Sequence, residues 1–82
     1  MKYTARLRAP ADFGLAIQQA RLDRGLSQTE LAEEASLRQS TVSEIESGKA
    51  TIYLRQMLEL ARASGCEIFA SWGEEDADAP RS

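Results

Sequence analysis

Arg38, Gln39, Ser40 and Ser43 bring a guanidinium, an amide and two hydroxyls together in one short stretch. Their types suit recognition by hydrogen bonding, not catalysis. The chain has no His, no carboxylates clustered in an apolar context and no Gly-rich phosphate loop, and it is too short for a deep pocket. A Gln amide addresses N6 and N7 of adenine with its two ends, an Arg fork takes guanine or a phosphate, and a Ser hydroxyl is short and permissive. That chemistry requires a rigid element to hold the side chains outward.

The flanking sequence supplies such an element. From Ser27 to Lys49 the chain reads SQTELAEEASLRQSTVSEIESGK. Its apolar positions, Leu31, Ala32, Ala35 and Leu37, then Val42 and Ile45, place one inward stripe on each of two short helices. Ser27 and Glu30 form an S-x-x-E capping box, so the first of these helices starts at about Gln28. Leu37 and Val42 have the separation of a hydrophobic staple, which puts Arg38 at the cap and Gln39 in the first turn of the second helix. Arg38 is a poor cap by propensity, so its cation is expected to act outside the helix. Gly48 provides the left-handed residue that ends it. With Val42 and Ile45 inward, a step of about 100° per residue sends Ser40, Ser43, Glu44 and Ser47 outward, with Gln39 on the flank. In helix-turn-helix docking the amino-terminal turns of the second helix reach base edges, so Arg38, Gln39, Ser40 and Ser43 are the expected readers. The rival reading, a solvated polar face on an ordinary helical domain, leaves the agreement of box, staple, stripes and terminating Gly unexplained.

Residues 12 to 65 resemble the Cro/C1-type (Xre-like) helix-turn-helix family. Gln28, Leu31, Ala32, Leu37, Val42, Ser43, Ile45, Glu46 and Gly48 match its pattern Q-x-x-L-A, a turn, then I/V-S-x-[IW]-E-x-G. Ser36 stands where the family often has Gly, which implies a side-chain-bearing residue near left-handed space. The resemblance implies that Gln28 holds a phosphate while supporting the first reader on the second helix. It also implies that Arg21 and Glu46 bridge the first helix to the end of the recognition helix.

The 82 residues make one small domain of net charge −3. The charge is unevenly placed: with Glu74, Glu75, Asp76, Asp78 and Arg81 set aside, nine basic and nine acidic groups remain. A neutral body binds nucleic acid weakly without specificity, so few phosphates are engaged, from Gln28, Thr41, Lys49 and Arg55. A chain this small also buries only about two thirds of its unfolded surface. Both arguments predict a dimer on a palindromic operator, with half-sites about 34 Å apart or a multiple of that. One Cys, no His and no apolar run of membrane length exclude a disulfide framework, a His-based metal site and a membrane span, and point to the cytoplasm. No cofactor is expected. Cys66 reads as one small buried hydrophobe in an apolar stretch.

Pro10 opens a first helix with Phe13, Ala16, Ile17 and Ala20 inward, ended by Gly25. A fourth helix is predicted from about Tyr53 to Ser64, ended by Gly65. It is more apolar than one small core needs, which leaves a dimer surface or a further packed element as its use. Cys66 to Trp72 then alternates as a strand, and so does Lys2 to Arg8. One strand alone cannot satisfy its backbone, so either these two pair within the chain or the second pairs with its copy across a dimer axis.

Four main helices, a carboxy-terminal strand and an amino-terminal strand make a mainly α, lambda-repressor-like domain over residues 1–73. In layout the chain is similar to the HipB antitoxin type, through the arm YTARLRAP and the strand CEIFASW. That resemblance implies an intersubunit lid, a dimer held by Leu58, Cys66, Ile68, Phe69, Ala70 and Trp72, repression of its own operon, and a HipA-like kinase toxin as partner. The alternatives are a stand-alone repressor without a toxin and a protein-interaction module that has lost DNA binding. Residues 74–82, EEDADAPRS, have the composition of a flexible acidic tail.

Overall fold

The computed structural model describes residues 1–73, and the predicted acidic tail lies outside them. The elements run β1 (Lys2–Arg6), α1 (Pro10–Asp23), α2 (Gln28–Ala35), α3 (Gln39–Glu46), α4 (Ile52–Ser64) and β2 (Phe69–Gly73). Each start has a local cause. Pro10 fixes the first turn of α1, and the Asp12 carboxylate accepts from the amides of Arg8 and Ala9 at 2.9 and 3.0 Å. The Ser27 box forms as expected: the hydroxyl accepts from the Glu30 amide at 3.0 Å and the Glu30 carboxylate accepts from the Ser27 amide at 2.9 Å. The Thr51 hydroxyl caps α4 by accepting from the Leu54 amide at 3.2 Å, one residue earlier than the apolar pattern predicts.

The turn between α2 and α3 passes through Ser36 at φ 58°, ψ 41°. A Cβ in this left-handed region costs about 1–2 kcal/mol. Ser36→Gly is therefore expected to raise stability by about 0.5–1 kcal/mol, net of the added freedom of the unfolded chain, as read by urea unfolding. Because the chain reverses here, the inward stripe stops earlier than its spacing predicts. Ala32 is buried and Leu31 half-buried, whereas Ala35 is exposed and Leu37 is 50% exposed.

The two strands pair with each other, antiparallel, in the register Tyr3 with Trp72, Ala5 with Ala70 and Arg6 with Phe69. The ladder continues as Leu7 N–H donates to the Ile68 carbonyl at 2.8 Å, and the Tyr3 and Trp72 rings stack with centroids 6.0 Å apart. Of the two pairings open at the sequence level, the one within the chain is realised. β2 starts at Phe69, not Cys66. Cys66 instead follows the Gly65 cap of α4, where its amide donates to the Ala61 carbonyl at 2.8 Å, and it is exposed instead of buried.

The small sheet packs on α1, which also crosses α3 and α4. The core is Leu7, Ala16, Ala32, Val42 and Leu58, one residue from each helix plus the one following β1. Its centre includes a close helix crossing. Gly14 of α1 is buried, and a Cβ there would overlap the Ile45 carbonyl oxygen and sit 3.0 Å from that of Glu46. Glycine thus permits α3 to lie backbone-close against α1.

Candidate nucleic-acid interface

The geometry of the site starts from a charge held almost out of water. Arg21 on α1 meets Glu46 at the end of α3 through two parallel bonds, Nε to Oε2 at 2.7 Å and Nη2 to Oε1 at 2.9 Å. Their side chains are 10% and 2% exposed. The remaining Arg21 nitrogen, Nη1, donates to the Leu26 carbonyl at 2.8 Å, so each guanidinium nitrogen donates one bond, linking α1 to α3 and to the loop before α2. The arginine bonds hold the Glu46 carboxyl below the usual carboxylate range. Burial opposes that shift without cancelling it, and a hydrogen bond from Gln28 adds to it.

Gln28, the first residue of α2, lies between this pair and the recognition helix. Its Nε2 donates to Glu46 Oε1 at 3.1 Å, and its Oε1 accepts from Gln39 Nε2 at 2.7 Å. Arg21, Glu46, Gln28 and Gln39 therefore form one continuous chain of hydrogen bonds from the core side of α1 to the exposed amino-terminal turn of α3. The Arg21–Glu46 bridge and the support of Gln39 by Gln28 match the expectation drawn from the family resemblance. The Gln28–Glu46 bond joining them was not anticipated. Its signal is in the spacing, since Gln28 stands three and four residues before Leu31 and Ala32 and so shares their inward face.

The other predicted residues fall into distinct settings. Arg38, Gln39 and Ser40 are exposed at the start of α3, Thr41 and Ser43 are half-buried, and Glu44 is exposed. Arg38 occupies the cap position with extended backbone and makes no capping bond with its side chain. Lys49 and Arg55 are exposed, and among the described residues Arg38, Lys49 and Arg55 take part in no ion pair. Besides Arg21, the cations paired among the described residues are Arg6 with Glu67, Arg24 with Glu34 and Arg62 with Glu59.

The six residues read as a dimer surface differ in their exposure. Leu58 is 8% exposed and belongs to the subunit core, because it is on the face of α4 turned to the other helices. Ile68, Ala70 and Trp72 are half-buried on one face of their strand, and Cys66 and Phe69 are exposed. The outward apolar side chains of α4 are instead Ile52, Tyr53, Met57 and Leu60, between 57% and 74% exposed. Among the described residues, no helix is long and apolar enough to cross a membrane.

A family model described as helix-turn-helix matches residues 17–69. The chain is 32% identical over 63 residues to an uncharacterized HTH-type transcriptional regulator, y4mF, of Sinorhizobium fredii, covering 77% of this chain and 83% of that one. It is 36% identical over 61 residues to multiprotein-bridging factor 1a of Arabidopsis thaliana, covering 74% of this chain and 43% of the longer plant protein. No solved structure matches with comparable significance.

Proposed function

This chain belongs to the helix-turn-helix family of the Xre/Cro-C1 type, and on that premise we propose that it is a sequence-specific DNA-binding regulator of transcription. The observation that carries the reading is the placement of Gln39. It is exposed on the first turn of α3 and its amide is held by Gln28, itself tied to a buried ion pair. A base reader anchored in this way loses little freedom on binding, which favours affinity and discrimination. In this reading Gln39, Ser40 and Ser43 face base edges with Arg38 beside them, and Gln28, Thr41, Lys49 and Arg55 hold phosphates. The absence of ion-pair partners for Arg38, Lys49 and Arg55 among the described residues supports their role.

The test is binding to duplexes selected from a random-sequence DNA pool. Replacing Gln39 and Ser43 together by Ala is expected to weaken binding to the selected sequence by about 1–3 kcal/mol. Binding is also expected to weaken steeply between low and moderate salt. Selection of no sequence would favour an interaction module instead.

The regulator is proposed to act as a cytoplasmic homodimer on a palindromic operator. Support comes from the neutral body, the small core and the apolar outward face of α4, to which the exposed Phe69 and Cys66 add. Sedimentation at micromolar concentration is expected to give twice the chain mass, and a monomer would refute the assembly. The finer proposal is a HipB-like antitoxin with a HipA-like kinase toxin as partner, supported by the arm before Pro10 and the carboxy-terminal strand. The pairing of β1 with β2 in one chain already satisfies one edge of each strand, so an intersubunit lid would have to use the opposite edges. A neighbouring kinase-like reading frame whose product co-purifies with this chain is the expected finding. Its absence favours a stand-alone repressor.

A further inference from the structure

We infer that the proposed DNA-facing surface has a second occupant in this same chain: the carboxylates of residues 74–78 dock on its unpaired cations, Arg38 foremost, and compete there with DNA phosphates. The inference rests on the DNA-reading role proposed above and gives it a built-in competitor. Its first ground is charge. Residues 1–73 carry nine basic and nine acidic groups, whereas Glu74, Glu75, Asp76 and Asp78 crowd into the five positions after Gly73. Among the described residues Lys2, Arg8, Arg38, Lys49 and Arg55 are in no ion pair, and the last three are the cations assigned above to DNA. A surface suited to phosphates suits carboxylates for the same reason.

The second ground is where the acidic run leaves the fold. Gly73 lines a shallow cavity with Ala20, Asp23 and Arg24, so the run starts beside the carboxy-terminal turn of α1. Arg21, on that turn, is bonded to Glu46, Glu46 to Gln28, and Gln28 to Gln39, the residue after Arg38. Five residues span at most about 17 Å and nine about 30 Å, on a molecule whose longest axis is 37 Å. Nearer landing points are taken or repulsive. Arg24 is held by Glu34 at 3.3 Å, and Asp23 and Glu33 are exposed carboxylates. Arg8 lies past the far end of β1. Lys2, opposite Gly73 in the ladder, accommodates the first carboxylate, and Arg38 is left for those that follow. Each exposed pair is weak by itself. Tethering offsets this, because a chain of a few residues keeps the carboxylates at an effective concentration on the order of millimolar.

The test uses the full chain and two readouts, after thermal melts by circular dichroism establish that the variants fold. In the first, Glu74→Gln, Glu75→Gln, Asp76→Asn and Asp78→Asn are combined. Binding is measured to a duplex that the wild type enriches from random-sequence DNA and to an unselected one. Affinity for both is expected to rise about tenfold at low salt, and the gain to shrink as salt is raised. A gain below about twofold overturns the inference. Long-range repulsion between the acidic run and DNA would also give a gain, so the second readout is contact. Arg38→Lys keeps the cation and supplies an amine, which a carbodiimide couples to a carboxylate touching it. Without DNA, peptide mapping is expected to show position 38 joined to residues 74–78 in material of single-chain mass, and an added duplex to suppress that link. Coupling at Lys2, beside Gly73, verifies the reagent. Coupling at Lys2 with none at position 38 overturns the docking, and a link found only at twice the chain mass overturns its assignment to the same chain. If the wild type enriches no sequence, the DNA-reading role falls and the competition with it, while the link at position 38 still decides whether the docking exists.

Discussion

Glu46→Ala is expected to destabilise the domain by about 3 kcal/mol, because it strands the Arg21 guanidinium in a site where the side chain is only 10% exposed. The loss has two parts. Two charge-assisted bonds to Arg21 disappear, and the Gln28 amide loses the acceptor that holds it. Small domains have a total stability on the order of 5 kcal/mol, so the variant should lose about half its margin and melt more than about 10 °C lower. The effect also has a pH signature. Since the folded protein holds the Glu46 carboxyl below the usual range, the stabilisation it provides is complete above the ordinary carboxylate pKa and is lost as pH falls through the depressed one. Wild-type stability should therefore decline on the acid side, and the decline should be shallower in Glu46→Ala. Parallel acid limbs in urea titrations of the two proteins would show that the pair contributes nothing through this carboxylate.

The features legible in the sequence are those fixed by a local cause. Ser27 with Glu30 and the cap position of Arg38 each follow from groups within a few residues of one another, and each forms where it was expected, as does the left-handed Ser36 that the family resemblance implies. The features that were not legible depend on partners distant in the chain. The strand period of residues 66–72 signals a strand but not its neighbour, and only the tertiary arrangement brings Tyr3 over Trp72. The apolar surplus of α4 was apparent, yet which side of it faces outward depends on where the other helices sit. Leu58 is consequently a core residue, while Tyr53, Met57 and Leu60 are exposed. The site divides in the same way. Its readers follow from the inward stripe of α3, whereas the bond that joins Gln28 to Glu46 spans α2 and α3 and needs their crossing to be known.

The seat of α3 on α1 depends on Gly14, and Gly14→Ala is expected to be the second severe substitution, costing about 2–3 kcal/mol despite adding a better helix former. In an open helix position the change would stabilise by about 1 kcal/mol. Here the new methyl would overlap the Ile45 carbonyl and crowd that of Glu46, both backbone atoms of α3 that cannot rotate away as a flexible side chain would. The helices must separate, and α3 carries Glu46 away from Arg21 as it moves. The same small displacement then loosens Gln28 and the amide of Gln39, so DNA binding should fall by more than the stability loss alone accounts for, even where the variant is fully folded. Gly25→Ala makes the informative comparison. Gly25 has φ 70° and open space around its missing Cβ, so its cost is local backbone strain of about 1 kcal/mol, and DNA affinity of the folded protein should not change. If Gly14→Ala and Gly25→Ala prove equally mild in urea unfolding, α1 and α3 are not in backbone contact, and the rigid mounting of the recognition helix has to be sought elsewhere.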